Sequence, residues 1–311
     1  MHGDDEFRVV SWNLEHNGLG RDGADHHWYL AMDILTGLRP HVVLRQELTR
    51  ATLNGRRAMW AEAARLGGDG PQFIPFMASA TPESPNPTGI YLDPSLCRTT
   101  EDHEHTTGIW HPICNPVVRL RGALSKLSLA SYHLSSFDPT RRASEAKRLT
   151  TLGKPGMAAI IGGDANSYPH RRQAEKAPLP DWNEISDRSH FEHRTIERGG
   201  TRICDTQPDQ ILAGEHHGLP PVFIELGHHA ATRLGQPDAL LPTASLRRTD
   251  QGPPQRIDRI YATPQIAAAL TRLETLDTDD VRKVSDHAPV LATFNLTALQ
   301  HALAPDRTLA A

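Results

Sequence analysis

Strand-like runs that recur from residue 7 to residue 294 constrain the fold of this chain more than any other feature. Some alternate apolar and polar residues and others are apolar throughout, a mixture typical of sheets with one or both faces covered. They therefore predict a core made mainly of β-structure. The runs are FRVVSWN (7–13), HVVLRQE (41–47), QFIPFMA (72–78), TGIYLD (88–93), PVVRL (116–120), ALSKLSLASYHL (123–134), MAAIIGGDAN (157–166), RIDRIYA (256–262) and PVLATF (289–294).

Helical patterns occupy some of the intervals between these runs. Residues 28–38 and 55–67 carry apolar side chains at spacings of three and four. In residues 138–153, Asp138 is placed to cap a helix and Pro139 fits the first helical position. The mixture predicts an α/β sandwich rather than a repeating βαβ unit.

Residues 167–255 have a different character, because Pro, Gly and His are dispersed through them and long periodic segments are few. A segment of this length without regular structure inside a compact domain is usually functional or disordered. We therefore expect long loops with a little secondary structure that lie beside the functional site.

Composition excludes several classes of protein. The net charge of the 311 residues is −4, so the chain lacks the general basic charge of proteins that coat nucleic acid. Its three cysteines have no C-x-x-C spacing, which argues against a disulfide framework or a thiolate zinc site. Histidine-rich stretches such as EDHEH at 101–105 indicate solvated surface rather than zinc ligands.

The sequence also makes a prediction about location. The N-terminal stretch MHGDDEF has neither the basic nor the apolar region of a signal peptide. No stretch approaches the ~18 apolar residues of a membrane span. We expect a cytoplasmic protein that does not act at a membrane.

Polar side chains stand at the ends of several predicted strands. Asn13 ends the first strand, Glu47 ends the second, and His133 lies near the end of a later one. Asp164 and Asn166 follow the apolar residues of IIGGDAN. Strand ends of this kind can converge at one edge of a sandwich.

Two later motifs add to this set. Asp258 lies within the apolar run RIDRIY, and Asp286 and His287 directly precede the last strand, which Pro289 begins. Neighbouring residues of a strand point to opposite faces, so a turn before Pro289 is needed to bring both side chains into one site.

A rim of carboxylates, amides and imidazoles without thiolates is the ligand set of a hard divalent cation such as Mg²⁺ or Mn²⁺. The chemistry that it indicates is the attack of water on a phosphate ester. Such a reaction needs a metal at the phosphoryl oxygens, a base for the water, donors to the developing charge and an acid for the leaving group.

In this order, the motifs resemble those of the endonuclease/exonuclease/phosphatase superfamily, whose fold is that of deoxyribonuclease I, AP endonucleases, neutral sphingomyelinases and inositol polyphosphate 5-phosphatases. The resemblance runs from residue 7 to residue 294. It implies a four-layer α/β/β/α sandwich, in which helices flank two mainly antiparallel sheets. We expect one domain over residues 1–297, which includes the loop-rich segment 167–255, and a C-terminal tail over 298–311.

The resemblance implies a metal side of the site, with Mg²⁺ or Mn²⁺ as the cofactor. Glu47 would be the principal metal ligand. Asn13 would lie beside the metal and the phosphate, and Asp286 would complete the metal side.

The resemblance also implies catalytic roles. Asp164 would orient and deprotonate the attacking water while Asn166 donates to a phosphoryl oxygen. On a strand, their i, i+2 spacing would put both side chains on one face, about 6.6 Å apart. His287, oriented and held charged by Asp258, would bind the phosphate. His133 would assist the leaving oxygen or contact the phosphate.

Each of these residues, taken alone, has a structural alternative. Asp258 could pair with Arg256 or Arg259, since a buried carboxylate is more often an ion-pair partner than a catalyst. Asn13 could simply end its strand through a backbone hydrogen bond, and GDAN alone predicts a turn. His133 could be a satisfied core histidine. Their joint occurrence favours the catalytic interpretation.

Four arginines are candidates for binding substrate phosphate. Arg45, inside the second strand, forms either a structural ion pair or a phosphate contact. Arg141, Arg171 and Arg247 each belong to an arginine pair that lies close in sequence to a candidate catalytic residue. These clusters favour a polyanionic ligand.

The predicted function is metal-assisted hydrolysis of phosphodiester bonds in nucleic acid. The alternatives are a phosphatase or phosphodiesterase acting on a small phosphorylated metabolite or nucleotide, and a phosphate-binding module without turnover. No segment has the pattern of a membrane-inserting hairpin or interfacial helix, which argues against a lipid substrate.

Overall fold

The computed structural model of the protein describes residues 5–19, 25–248 and 252–304. Most of its strands belong to two six-stranded sheets, and one pair forms a separate hairpin. In chain order the strands are β1 (Glu6–Asn13), β2 (Val42–Gln46), β3 (Ile74–Met77), β4 (Gly89–Leu92), β5 (Cys97–His105), β6 (Ile113–Leu120), β7 (Leu127–His133), β8 (Ala159–Asp164), β9 (Thr195–Arg198), β10 (Thr201–Cys204), β11 (Ile224–Glu225), β12 (Asp258–Ala262), β13 (Leu270–Thr275) and β14 (Val290–Asn295).

The first sheet has the strand order β13-β14-β1-β2-β4-β3 and the second has the order β11-β12-β8-β7-β6-β5. Within them, β1–β2 and β7–β8 pair in parallel, and the other pairs are antiparallel. The helices of the described residues are α1 (His26–Gly37), α2 (Arg57–Gly67), α3 (Pro139–Leu149), α4 (Arg188–Arg194), α5 (Gln207–Ala213), α6 (Leu226–Arg233), α7 (Pro264–Ala267), α8 (Asp279–Val284) and α9 (Leu296–Ala302).

Alternation of side chains along the central strands separates the layers. Val9 of β1 packs in the cluster between the two sheets, whereas Val10 packs outward with α1, α2 and α8. On the second sheet, Ile160 faces the inter-sheet cluster and Ile161 packs against α3 and α5. This arrangement is the predicted four-layer α/β/β/α sandwich with two mainly antiparallel sheets.

The predicted strand runs and helices are all present, with ends that differ by a few residues. Asp138 caps α3 as expected, since its carboxylate accepts hydrogen bonds from the backbone N–H groups of Thr140 and Arg141. The strand β5 was not predicted, because its sequence CRTTEDHEH is polar and it lies at the edge of its sheet. The stretch EDHEH therefore belongs to a strand, and most of its side chains are exposed.

The last helix bears on the predicted domain boundary. The helix α9 buries Leu296 and Leu299 in the inter-sheet cluster, and the boundary predicted after residue 297 falls inside this helix. Among the helices of the described ranges, none is both long enough and apolar enough to cross a membrane.

Candidate active site

Three neighbouring strands of the second sheet bring polar residues into one row. Asp164 is the last residue of β8, and it lies opposite His133 at the end of β7 and Asp258 at the start of β12. All three side chains are nearly inaccessible to solvent. The sheet register alone therefore places two carboxylates and an imidazole side by side.

The first sheet supplies the facing residues. The amide nitrogen Nδ2 of Asn13, at the end of β1, lies 3.2 Å from Oδ2 of Asp164 and 3.3 Å from Oε1 of Glu47. Glu47 directly follows β2 with a positive φ of 54°, a backbone region that few residues other than glycine adopt. Its other carboxylate oxygen accepts a hydrogen bond of 2.9 Å from the backbone N–H of His16. One amide thus connects carboxylates from both sheets.

His287 and Asp258 form a direct pair, since Nδ1 of His287 donates to Oδ2 of Asp258 at 2.9 Å. The loop that carries His287 is tied to the end of β1 at two points. Trp12 Nε1 donates to the carbonyl of His287, and the hydroxyl of Ser285 donates to the carbonyl of Asn13. Asp258 therefore pairs with His287 rather than with Arg256 or Arg259.

The protonation states follow from these neighbours. Burial acts to lower the pKa of His287, but the negative charges of Asp258, Asp164 and Glu47 outweigh it and raise this pKa to about 10. Burial acts to raise the pKa of Asp164, but the nearby His133, His287 and Arg194 lower it overall. At neutral pH, His287 is therefore an imidazolium and Asp164 a carboxylate.

A metal ion could be held in two ways. Among the described residues, possible ligand atoms of Asp164, Asp258 and His287 lie within 4.8 Å of one another. Nδ1 of His287 is already bonded to Asp258, so these three side chains form a charge-paired cluster. The carboxylate of Glu47 and the amide of Asn13 fit a divalent ion better, because both offer oxygen ligands. Oδ1 of Asn13 is buried and has no hydrogen-bond partner in the described structure.

His133 stacks on a second imidazole. Its ring centroid lies 4.1 Å from that of His111 with 19° between the ring planes, and its Nε2 lies 3.5 Å from Oδ2 of Asp164. Nδ1 of His111 lies 2.7 Å from the hydroxyl of Ser84. Burial, followed by the charge of His133, lowers the pKa of His111 to about 2. His111 is therefore a neutral, hydrogen-bonded support for His133.

Asn166 does not lie on a strand, which corrects the expectation of two side chains on one strand face. The strand β8 ends at Asp164, and Asn166 adopts a positive φ of 49° in the turn that follows. Its backbone N–H donates to Oδ1 of Asp164, and its side-chain amide donates to the carbonyl of Leu134. The GDAN motif thus forms a turn that orients the Asp164 carboxylate.

Asp286 lies beside His287 at a small cavity of about 40 Å³, which Tyr168, His190 and Arg194 also line. Its Oδ1 accepts hydrogen bonds from the backbone N–H groups of Arg247 and Arg248, at 2.6 and 3.1 Å. This carboxylate therefore holds the 247–248 backbone in place.

No family model and no curated protein sequence matches the chain. Solved structures do match it over most of its length. D. rerio TDP2 complexed with single strand DNA product has 18% identity and a TM-score of 0.59, over 94% of this chain and 100% of that one. An endonuclease/exonuclease/phosphatase from Bacteroides vulgatus has 11% identity and a TM-score of 0.62, over 93% and 98%.

A third structure is that of ANGEL2, described as a 2′,3′-cyclic phosphatase, in complex with adenosine-2′,3′-vanadate. It has 15% identity and a TM-score of 0.56, over 93% of this chain and 95% of that one. The chain has the endonuclease/exonuclease/phosphatase fold. The fold expected from the strand-end motifs is thereby confirmed.

On this fold, Arg45 is not a phosphate ligand, which corrects one of the two interpretations of that residue. Its side chain is fully buried, and its Nε donates to Oε1 of Glu62 at 2.7 Å. Its other nitrogens donate to the carbonyls of Trp12 and Gln46 and to the side chain of Asn17. Four of the five N–H donors of Arg45 are engaged within the protein, and its full burial keeps the side chain away from substrate.

The other three candidate arginines lie in different places. Arg247 forms an ion pair with Glu15, and Arg171 donates to the carbonyl of Ala213 and lines a separate cavity with His170. Arg141 lies over the ring of Trp110, with its guanidinium carbon 5.3 Å from the ring centroid. Of the three, Arg141 adjoins the imidazoles of the site through this ring.

Sequence reasoning missed several residues of the site. Arg194, in α4, donates to the carbonyl of Asn166 and lowers the pKa of Asp164. His111 and Trp110 lie in the loop before β6. These residues stand on no predicted strand end, so neither periodicity nor spacing marked them.

Proposed function

We propose that this protein is a divalent-metal-dependent phosphoesterase that hydrolyses phosphodiester bonds of nucleic acid, with Mg²⁺ or Mn²⁺ as its cofactor. The observation that carries the proposal is the position of Asp164. Its carboxylate contacts the Asn13 amide on one side and lies within the charge-paired cluster with Asp258 and His287 on the other. A phosphate ester could meet a base and a cation in this space.

Three side chains of the protein would supply the base, the phosphate contact and the group near the leaving oxygen. Asp164 is ionised and would accept the proton of the attacking water, oriented by the Asn166 backbone N–H. His287 carries a positive charge, fixed by Asp258, and would bind a phosphoryl oxygen. His133 lies beside Asp164 and would stand near the leaving oxygen.

The metal side is assigned to Glu47 and Asn13, with Asp286 nearby on the loop of His287. A bound divalent ion supplies neutralisation of the phosphoryl charge. Oxygen ligands without thiolates suit Mg²⁺ or Mn²⁺, and the choice between these two ions is part of the proposal.

Two structural relatives support a nucleotide-like substrate. D. rerio TDP2 is complexed with single strand DNA product, and ANGEL2 is complexed with adenosine-2′,3′-vanadate. We infer that this chain likewise accepts a phosphate ester of a nucleotide unit. We also propose that it acts in the cytoplasm, because its three cysteines are free and buried, as is usual in a reducing compartment.

The test is a parallel turnover screen at fixed Mg²⁺ and, separately, at fixed Mn²⁺. The substrates are single-stranded DNA, duplex DNA, abasic DNA, RNA, nucleotides, and sugar or inositol phosphates. We expect a nucleic acid to give the highest kcat/KM. The control variant is Asp33→Asn, at an exposed carboxylate on α1, and its kcat/KM should equal that of the wild type. Preferred turnover of a sugar or inositol phosphate would replace the proposal with the small-metabolite alternative. Binding without turnover of any substrate would favour a non-catalytic module.

A further inference from the structure

Aromatic rings form a cluster next to the imidazole side of the site. The ring centroid of Phe137 lies 4.7 Å from that of Trp110, edge to face, and 6.3 Å from that of His193. The guanidinium of Arg141 lies over the Trp110 ring. These residues come from different segments: the loop before β6, the loop after β7, α3 and α4. We call this cluster the ring platform.

The ring platform is continuous with the residues around Asp164. Trp110 precedes His111 in the chain, and their ring centroids are 6.3 Å apart. His111 stacks on His133, which adjoins Asp164. A ligand group on the platform would therefore neighbour the phosphate whose ester bond is cleaved.

Two buried residues of α3 hold the backbone of the platform. The carboxylate of Glu145 accepts hydrogen bonds from the backbone N–H groups of Trp110 and Ser135, at 2.6 and 2.8 Å. Arg142 donates to the carbonyls of Ser135 and His193, at 2.6 and 2.7 Å, and also pairs with Asp205. Both side chains are fully buried. The loops that carry the rings are thus fixed relative to one another before any ligand arrives.

Core packing does not account for these rings. Phe137 is 40% exposed, and Trp110 is partly exposed. Other exposed aromatic side chains in the described residues, Tyr29 and Trp60, lie on α1 and α2, which cover the first sheet. Exposed aromatic groups that are held next to the stacked imidazoles of a site are placed to contact a ligand.

We propose that Trp110, Phe137 and His193, together with Arg141, form a subsite that stacks an unpaired nucleobase next to the scissile phosphate. This inference rests on the proposed function and specifies its substrate as single-stranded nucleic acid. Bases of a duplex are already stacked on their neighbours, whereas an unpaired base presents a free face to an aromatic ring. Arg141 adds a positive charge where the adjoining phosphate would lie.

Binding is measured in the Asp164→Asn background with Mg²⁺, so that the oligonucleotide stays intact. The probes are a fluorescent single-stranded decanucleotide and the same backbone with tetrahydrofuran abasic residues throughout. We expect Phe137→Leu and Trp110→Leu to weaken binding of the base-bearing probe by about ten- to a hundredfold and to leave the abasic probe unchanged. Phe137→Tyr, which keeps a ring, should bind as the parent does.

The matched control is Trp60→Leu, which removes an exposed aromatic ring from the other flank and should not change binding. The subsite would be overturned if Phe137→Leu and Trp110→Leu lost affinity equally for both probes, or lost affinity for neither. Turnover by the wild type separates this failure from failure of the proposed function. If the wild type hydrolyses the base-bearing and abasic strands equally and Phe137→Leu has no effect, the subsite is wrong while the activity stands. If neither strand is hydrolysed but the base-dependent binding persists, the activity is wrong and the subsite stands.

Discussion

A buried arginine lies behind each side of the candidate site, and the two sides differ in what that arginine holds. Behind the acidic side, which comprises Asn13, Glu47 and Asp286, Arg45 donates to the carbonyls of Trp12 and Gln46, which precede Asn13 and Glu47. It therefore joins the ends of two paired strands. Its charge is matched by a buried carboxylate, Glu62.

Behind the ring side, which comprises His133, His111, Trp110 and Phe137, Arg142 holds loops instead. Its hydrogen bonds reach the carbonyls of Ser135 and His193, and its partner Asp205 is buried as well. Asn13 and Glu47 thus stand at the ends of paired strands, whereas Trp110 and Phe137 stand on loops that are held by residues of α3. In the proposed function, the charged groups therefore lie on strand ends, and the rings that would contact a nucleobase lie on loops.

The largest effect on stability is expected when Arg45, which joins the strand ends of the acidic side, is replaced. Arg45→Met leaves the Glu62 carboxylate buried without its cation, so we expect the free energy of unfolding to fall by about 3–5 kcal/mol. Urea denaturation measures this change. The double variant Arg45→Met/Glu62→Leu removes both charges and should regain much of the loss. If Arg45→Met were as stable as the wild type, the ion pair between Arg45 and Glu62 would not stabilise the two strand ends.

Glu47→Gln should raise the Mg²⁺ concentration that hydrolysis requires, and it should leave the structure of the ring side unchanged. Because the amide is a weaker ligand than the carboxylate, we expect the Mg²⁺ concentration for half-maximal rate to rise by about ten- to a hundredfold. A Mg²⁺ titration of oligonucleotide hydrolysis measures it, with Asp238→Asn as a control at an exposed carboxylate. Superimposable titrations for variant and wild type would remove Glu47 from the metal side.

His111→Asn should change the pH dependence of stability through the ring side. The pKa of His111 is about 2 in the folded chain, far below its usual 6.5, so only the unfolded chain binds this proton between those values. Stability from this residue is therefore present above pH 6.5 and is lost as the pH falls. We expect the variant to lose about 2 kcal/mol less stability than the wild type between pH 7 and pH 5.

Unfolding by urea at both pH values measures the difference. His103→Asn, at an exposed histidine on β5 that pairs with Glu101, is measured in parallel as the comparison variant. An unchanged slope in His111→Asn would show that His111 is not held neutral in the folded protein.

The contrast between the two sides also explains what the sequence could predict. Asn13, Glu47, His133 and Asp164 terminate or directly follow apolar runs, and the pairing of those runs determines where the polar residues meet. Strand signals are therefore enough to locate them. The α/β sandwich followed from the strand and helix patterns, and its four-layer arrangement followed from the family resemblance.

The remaining features depend on tertiary contacts that no local pattern encodes. Trp110 reaches the site because Glu145, 35 residues later, accepts its N–H. Arg45 was ambiguous because a charge in a strand has the same sequence signature whether it binds a buried glutamate or a phosphate. Asn166 was misplaced because the alternation of the strand was extended past Asp164, where the chain turns.

The proposed function depends most directly on Asp164 acting as the base of a metal-dependent phosphodiester hydrolysis. The most direct measurement is the rate at which wild type and Asp164→Asn cleave a single-stranded oligonucleotide in Mg²⁺, before and after addition of EDTA. We predict that EDTA abolishes cleavage by the wild type and that excess Mg²⁺ restores it. Asp164→Asn should bind the strand but turn over about 10²–10⁴-fold more slowly. Cleavage that persists in EDTA, or an Asp164→Asn variant with the rate of the wild type, would contradict the account.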